Sequence, residues 1–171
     1  MTALPDRAAI DAVLVERARL LARRPDVVSA VPMAQLLAFA AANERYAIDV
    51  THVYRLERCR RITPLPGAAR HFTGIVNVHG QIVPLIDLGM LLGTPPCLDP
   101  TFAIILGGAR AEIGIVAQAL IELREIPLDT LASSTPAPRP IVRHITADGI
   151  AVIDGAALIA DPRLTHEENV R

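Results

Sequence analysis

Phe72 to Leu88 reads FTGIVNVHGQIVPLIDL, and this stretch decides what kind of chain it belongs to. It opens on the alternating run Gly74-Ile75-Val76-Asn77-Val78-His79 and turns at Gly80-Gln81. It returns as Ile82-Val83-Pro84-Leu85-Ile86-Asp87-Leu88. Side chains alternate across a strand, so Val76 and Val78 share one face while Ile75, Asn77 and His79 share the other. A sheet that buries the two valines therefore presents Asn77 and His79 outward beside a tight glycine turn. Polar side chains held rigidly next to an apolar patch suit a recognition surface. Nothing in the stretch is arranged as a nucleophile and its base.

The same grain continues on both sides. Leu36 to Ala41 reads as an apolar strand, Ala42-Asn43-Glu44 as a turn, and Arg45 to Val50 as the returning arm of a hairpin. Val50 to Arg58 continues as a strand or a short helical turn. Thr101 to Leu106 and Ala111 to Ala117 form two more strands across Gly107-Gly108-Ala109-Arg110. Leu120 to Ile126 reads as a bent or edge strand, and Asp129 to Pro140 as a long proline-bearing loop. Ile141 to Thr146 and Ile150 to Ile153 make a last hairpin, after which Asp154 is a good N-cap for a short helix at 156–160. Nine or ten short strands with turn signals every 8 to 12 residues predict a sandwich or barrels. Two small barrels fused through one core is the reading preferred here, although no residue-level repeat relates the halves.

The ends differ from this middle. Residues 5–24 carry apolar Ile10, Val13, Leu14 and Leu21 at helical spacing, with Asp6 as candidate N-cap and Pro25 as the stop. This helix either packs on the domain or docks a partner helix. The division expected is a helical extension at 1–32, one β domain at 33–162 and a flexible charged tail at 163–171.

Composition narrows the function. The apolar fraction is 51%, ample for a core, but aromatics are only 3%, so Val, Ile, Leu and Ala must fill it. The net charge of −1 gives no footprint for nucleic acid or an anionic membrane surface. All 17 basic residues are Arg, which weakens any argument from one arginine. The N-terminus does not have the pattern of a signal peptide, and no apolar run spans a bilayer, so the expected location is the cytoplasm. Cys59 and Cys97 are too few for a disulfide framework or a zinc knuckle and read as reduced thiols.

Catalytic and cofactor motifs are missing as well. There is no phosphate-cradling glycine loop, no HExxH and no GxSxG elbow, and the five histidines are dispersed. Asp49 and Asp87 each follow an apolar run. They read as turn caps, with an acid/base carboxylate pair as the alternative. No catalytic residue, metal ligand or cofactor is assigned.

The central stretch resembles the CheW family of chemotaxis coupling proteins. Gly74, Asn77, Gly80, Pro84, Asp87 and Leu88 fall on that family's core frame without a gap. Tyr46-Ala47-Ile48-Asp49-Val50 resembles its early strand, Thr63-Pro64-Leu65-Pro66 with Phe72 its proline loop, and Phe102 to Val116 its second-half hairpin. The resemblance covers about residues 33–162. It implies a mostly β fold of two five-stranded SH3-like barrels sharing an apolar core, here with an extra N-terminal helix and a short C-terminal one. It also implies a non-enzymatic adaptor between the cytoplasmic tips of chemoreceptors and the regulatory domain of a CheA-type histidine kinase. Other CheW-like domains would be neighbours in arrays. By position it assigns Val53, Gly74, Asn77, His79 and Gly80 to partner contact.

This chain departs from the pattern where His79 replaces the family's arginine, Gly89 follows Asp87-Leu88, and Ala117-Gln118 stands for Val-Asp. Histidine is shorter and titrates near neutrality, so a bidentate arginine contact does not carry over. The chain reads as a divergent member. A reading from another class is a small-molecule sensor with its ligand in the groove between the barrels.

Overall fold

Apolar residues occupy both faces of the first strand, and the fold covers both. A computed structural model of the protein describes residues 32–132 and 140–164. The helix expected at 5–24, most of the loop before Pro140 and the chain beyond Leu164 lie outside these residues.

The expected hairpin is formed by β1 (Met33–Ala41) and β2 (Glu44–Asp49), paired antiparallel from Leu36↔Asp49 to Ala41↔Glu44. A single 3₁₀ turn (Val50–His52) then leads into β3 (Val53–Arg58), so the chain uses both the turn and the strand. The opening stretch becomes β4 (Phe72–Val78), β5 (Gln81–Ile86) and a five-residue helix, α1 (Leu88–Leu92). Next come β6 (Phe102–Gly107), β7 (Ala111–Ala117), β8 (Ala119–Pro127) and α2 (Leu128–Ala132). The described chain ends with β9 (Val142–Ile145), β10 (Ala151–Ile153) and α3 (Gly155–Ile159). β8 is the bulged edge strand expected, with its register shift opposite Ala38/Phe39. Two expectations give way. The helix α1 is too short to show a period, and the loop assigned from Asp129 begins as helix α2.

The strands form two five-stranded sheets, ordered β8-β1-β2-β10-β9 and β3-β6-β7-β5-β4. The two orders are one topology. In the second sheet the chain fills one edge with β3, the far edge with β4, and then works inward through β5, β6 and β7. In the first sheet the same places are filled by β8, β9, β10, β1 and β2. The first barrel is thus a permuted copy, opened between β2 and β8 to admit the second. Each sheet contains one parallel pair, β2 with β10 and β7 with β5.

This equivalence exposes a short repeat after all. β5 ends in Ile86-Asp87 before α1, and β10 ends in Ile153-Asp154 before α3. Each aspartate N-caps its helix, Asp87 accepting from Met90 N at 3.2 Å and Asp154 from Ala157 N at 2.9 Å.

Burial follows from the alternation along β1. Ala34, Leu36 and Ala38 point to a small core with Ala47, Ile150 and Val152. Leu37, Phe39 and Ala41 point the other way, into a larger core with Tyr46, Ile48, Leu85, Ile104 and Ile115. Small alanines keep the first barrel's interior narrow. The larger cluster joins one face of the first sheet to the second.

Past α3 the chain is pinned. Arg163, the first residue of the expected tail, donates three times to Asp161, from its backbone N at 2.9 Å and its guanidinium at 3.0 and 2.6 Å, and once to the Leu91 carbonyl at 3.1 Å. His71 Nε2 lies 3.1 Å from the Arg163 carbonyl oxygen.

Candidate functional site: the β4–β5 hairpin

The hairpin turns one residue earlier than the sequence suggested. Val78 pairs with Gln81, leaving His79-Gly80 as a two-residue loop. Both carry positive φ, 50° and 86°, as twisted two-residue hairpins require. His79 is therefore not on the strand, and alternation does not set its direction; the turn does. It is exposed all the same, as is Asn77, while Val78 is 2% exposed. Histidine is among the few non-glycine residues that tolerate this backbone region.

Asn77 has a job inside the turn. Its Oδ1 accepts the Gly80 amide at 2.7 Å. This bond satisfies a loop N–H and holds the side chain against its own turn.

Gly74 is buried, at the other end of β4. The loop after β3 crosses here, with Thr63 and Ile75 exchanging backbone bonds of 3.0 and 2.8 Å. A Cβ on Gly74 would stand 2.3 Å from the Thr63 carbonyl oxygen. The glycine permits this close approach; its role is packing. Val53 opens β3, half-buried and paired with Leu106. β3 and β4 are opposite ends of the second sheet's strand order. Of the five assigned residues, then, Asn77, His79 and Gly80 meet at the tip, Gly74 lies under the crossing loop, and Val53 stands on the other edge strand.

The sequence reading missed Ile82. It pairs with Asn77, shares its outward face, and is 63% exposed. The signal was available, since a cross-strand partner of an outward residue also faces outward. Beside it runs a shallow groove of about 390 Å³, lined by Ile82, Pro84, Ile113, Ile159 and Leu164 with Arg110 and Glu112 at its rim. Gln81 Oε1 accepts the Ala111 amide at 3.2 Å and ties the hairpin base to this rim.

Asp49 and Asp87 do not form an acid/base pair. They belong to different sheets, and Asp49 caps the 3₁₀ turn, accepting from Thr51 N at 2.8 Å. Asp87 is buried, with Oδ1 on Met90 N and Oδ2 accepting from Cys97 N at 2.6 Å. Cys59 and Cys97 are free thiols. Burial, and then the neighbouring Cys97, pushes Cys59 up to about 11, so it stays protonated near neutral pH. Among the described residues, no three His, Cys, Asp or Glu side chains are placed to hold a metal, and no helix is long and apolar enough to cross a membrane.

Two five-stranded barrels sharing one core, with an exposed hairpin and a shallow groove of mixed polarity beside it, define a binding module. A family model, the CheW-like domain, matches residues 35–163. The chain belongs to the CheW-like domain family. It is 26% identical over 123 residues to a probable chemotaxis protein CheW of Rhizobium etli, spanning 70% of this chain and 78% of that one. It is 32% identical over 82 residues to the chemotaxis protein CheW of Bacillus subtilis, spanning 47% and 53%. The solved structure of the scaffolding protein TtCheW from Thermoanaerobacter tengcongensis superposes with a TM-score of 0.61 at 24% identity, covering 72% of this chain and 90% of that one. That likeness shows the fold.

Proposed function

We propose that the chain is a non-enzymatic cytoplasmic adaptor that couples chemoreceptors to a CheA-type histidine kinase. Family membership and the names of the relatives, chemotaxis and scaffolding proteins, support the class. The resemblance read from the sequence supplies the partners: the receptor's cytoplasmic tip, the kinase's regulatory domain and other CheW-like domains in arrays. The observation that carries the site is Ile82. A large apolar side chain, 63% exposed on a hairpin fixed by the Asn77–Gly80 bond, is the kind of preorganised anchor that dominates binding. Arg110 at the rim sets the local charge.

The test is a titration of the purified chain with a receptor cytoplasmic fragment and, separately, with the kinase regulatory domain. Ile82→Arg and His79→Asp alter exposed side chains, and aspartate, like histidine, is tolerated at the positive φ of the turn. Each is expected to weaken one of the two complexes by about tenfold or more, the cost of a lost anchor. Wild-type affinity for both partners in both variants removes the hairpin from the interface. A bulky residue at Gly74 is not a usable probe, because it would clash with the Thr63 backbone before any partner met it.

A further inference from the structure

Among the described residues, nothing closes the β8 edge of the first sheet. β8 pairs with β1 on one side, and no strand takes its other side. The outward row of backbone N–H and C=O groups on such a strand is a template for one more. Side chains along β8 are exposed on both faces, at Ala119, Ile121, Glu122, Leu123 and Glu125. Edge strands are ordinarily protected by charge, proline or a bulge. Here Pro127 comes last, and the bulge comes early, with Ile121 the extra residue opposite Ala38/Phe39. From Glu122 to Pro127 the ladder with β1 is regular.

The charges that remain are ordered so that they do not protect. Cross-strand partners share a face. Leu123, opposite Leu37, therefore stands on the face of the larger core, while Glu122 and Arg124, opposite Ala38 and Leu36, stand on the other. Leu123 is 60% exposed. Glu122 and Arg124 are ion-paired along the strand, and Arg124 Nη1 also donates to Asp148 Oδ2 at 2.6 Å.

This order is self-complementary. When two such strands lie antiparallel about a two-fold axis at Leu123, each Glu122 faces the partner's Arg124 and Leu123 faces its own copy. Moving the axis to Glu122, Arg124 or Glu125 sets like charges directly opposite each other, which is unfavourable.

We propose that a second copy of this chain pairs along β8, antiparallel and two-fold about Leu123. The two Glu122–Arg124 pairs then lie side by side in opposite directions, and their charges alternate in sign around a ring on one face. A network of this kind holds where an isolated surface pair contributes little. On the other face Leu37, Leu123 and their copies form one apolar row across the joined sheets. A contact of this isologous kind closes at two chains. The bulge at Ile121 keeps the pairing short, so association is weak, with a Kd on the order of 100 µM. β8 belongs to the first sheet and the β4–β5 hairpin to the second, so the pairing does not depend on the adaptor reading.

Sedimentation equilibrium of the full chain, from about 10 µM to about 1 mM, tests it. The wild type is expected to move from the mass of one chain toward that of two. Leu123→Arg, at the exposed centre, should weaken association about tenfold or more. Glu122→Arg sets arginine opposite arginine and Arg124→Glu sets glutamate opposite glutamate, so each alone should weaken it similarly. Mixed in equal amounts, these last two chains regain opposite charges at both positions, and association should return to within several-fold of wild type. Only the antiparallel register at Leu123 gives this rescue. A wild type that stays single at every concentration, variants that associate as wild type does, or a mixture that associates no better than its components overturns the proposal. Should Arg124→Glu fail to fold without its bond to Asp148, Leu123→Arg and Glu122→Arg decide, with wild-type association in either counting against the pairing.

Discussion

Replacing Asp87 by alanine tests whether the Asp-Leu that ends the central stretch is there for the fold. The carboxylate accepts from Met90 N at 3.2 Å and from Cys97 N at 2.6 Å, and Asp87 is 6% exposed. Losing the cap costs about 1 kcal/mol. Cys97 is 7% exposed, so its stranded N–H costs about 1–3 kcal/mol more. The sum is roughly 2–4 kcal/mol, which lowers the melting temperature by about 6–16 °C for a domain of this size. Asp87→Asn recovers little, because its amide NH₂ must face one of the two N–H donors. Asp154→Ala, at the equivalent place in the first barrel, loses one backbone bond and should cost only about 1 kcal/mol. Urea unfolding of the three variants is the assay, with the midpoint shifting at constant slope. A loss below about 0.5 kcal/mol in Asp87→Ala, or an Asp154→Ala as damaging as Asp87→Ala, would refute the reasoning.

The remaining expectations are briefer. Gly74→Ala should abolish or severely weaken folding, since its Cβ meets the Thr63 carbonyl oxygen at 2.3 Å, whereas Gly80→Ala, with φ +86° and open space around it, should cost only about 1 kcal/mol by thermal melting. Asp161 is held below the usual carboxylate range, first by its side-chain bonds to Arg163. Its folded pKa is depressed, so its stabilisation is full above the ordinary value of 3.8 and is lost as pH falls through the folded value. Urea midpoints measured down this range should drop in the wild type and flatten in Asp161→Asn. Cys59, raised from 9.0 to about 11, should be alkylated about a hundredfold more slowly at mildly alkaline pH than an unperturbed thiol, until denaturant equalises them.

The strands were legible because alternation and continuous apolar runs survive in any context. Leu36 to Ala41, Ala111 to Ala117 and the last hairpin fall within a few residues of their strands. The turn at His79-Gly80 was misplaced because glycine signals positive φ and histidine usually does not. The helix α1 was missed because five residues cannot show a 3.6-residue period. The pairing of β2 with β10 joins residues about a hundred positions apart, a contact no local pattern encodes. The site divided along the same line. Asn77 and His79 were placed outward correctly, but only the fold shows Asn77 bonded into its own turn and Gly74 serving the crossing loop. Ile82 needed register rather than composition.

The two barrels explain why the same residue pair, Ile-Asp before a short helix, has two environments. In the second barrel the chain continues from α1 through Thr94 to Cys97 and seals the carboxylate with its own backbone. In the first, α3 leads instead to Asp161 and Arg163, which reach across to the Leu91 carbonyl at the end of α1. The segment that would seal Asp154 is thus spent on joining the barrels. Asp49, where the second barrel has the fully buried Val116, keeps that end polar. Asp87 and the Arg163 clamp tie several backbone groups into the fold, while the side chains of the hairpin tip are exposed. Substitutions should sort accordingly: changes at Asp87, Gly74 or Asp161 act on unfolding, and changes at the exposed Ile82 act on binding with a melting temperature near wild type.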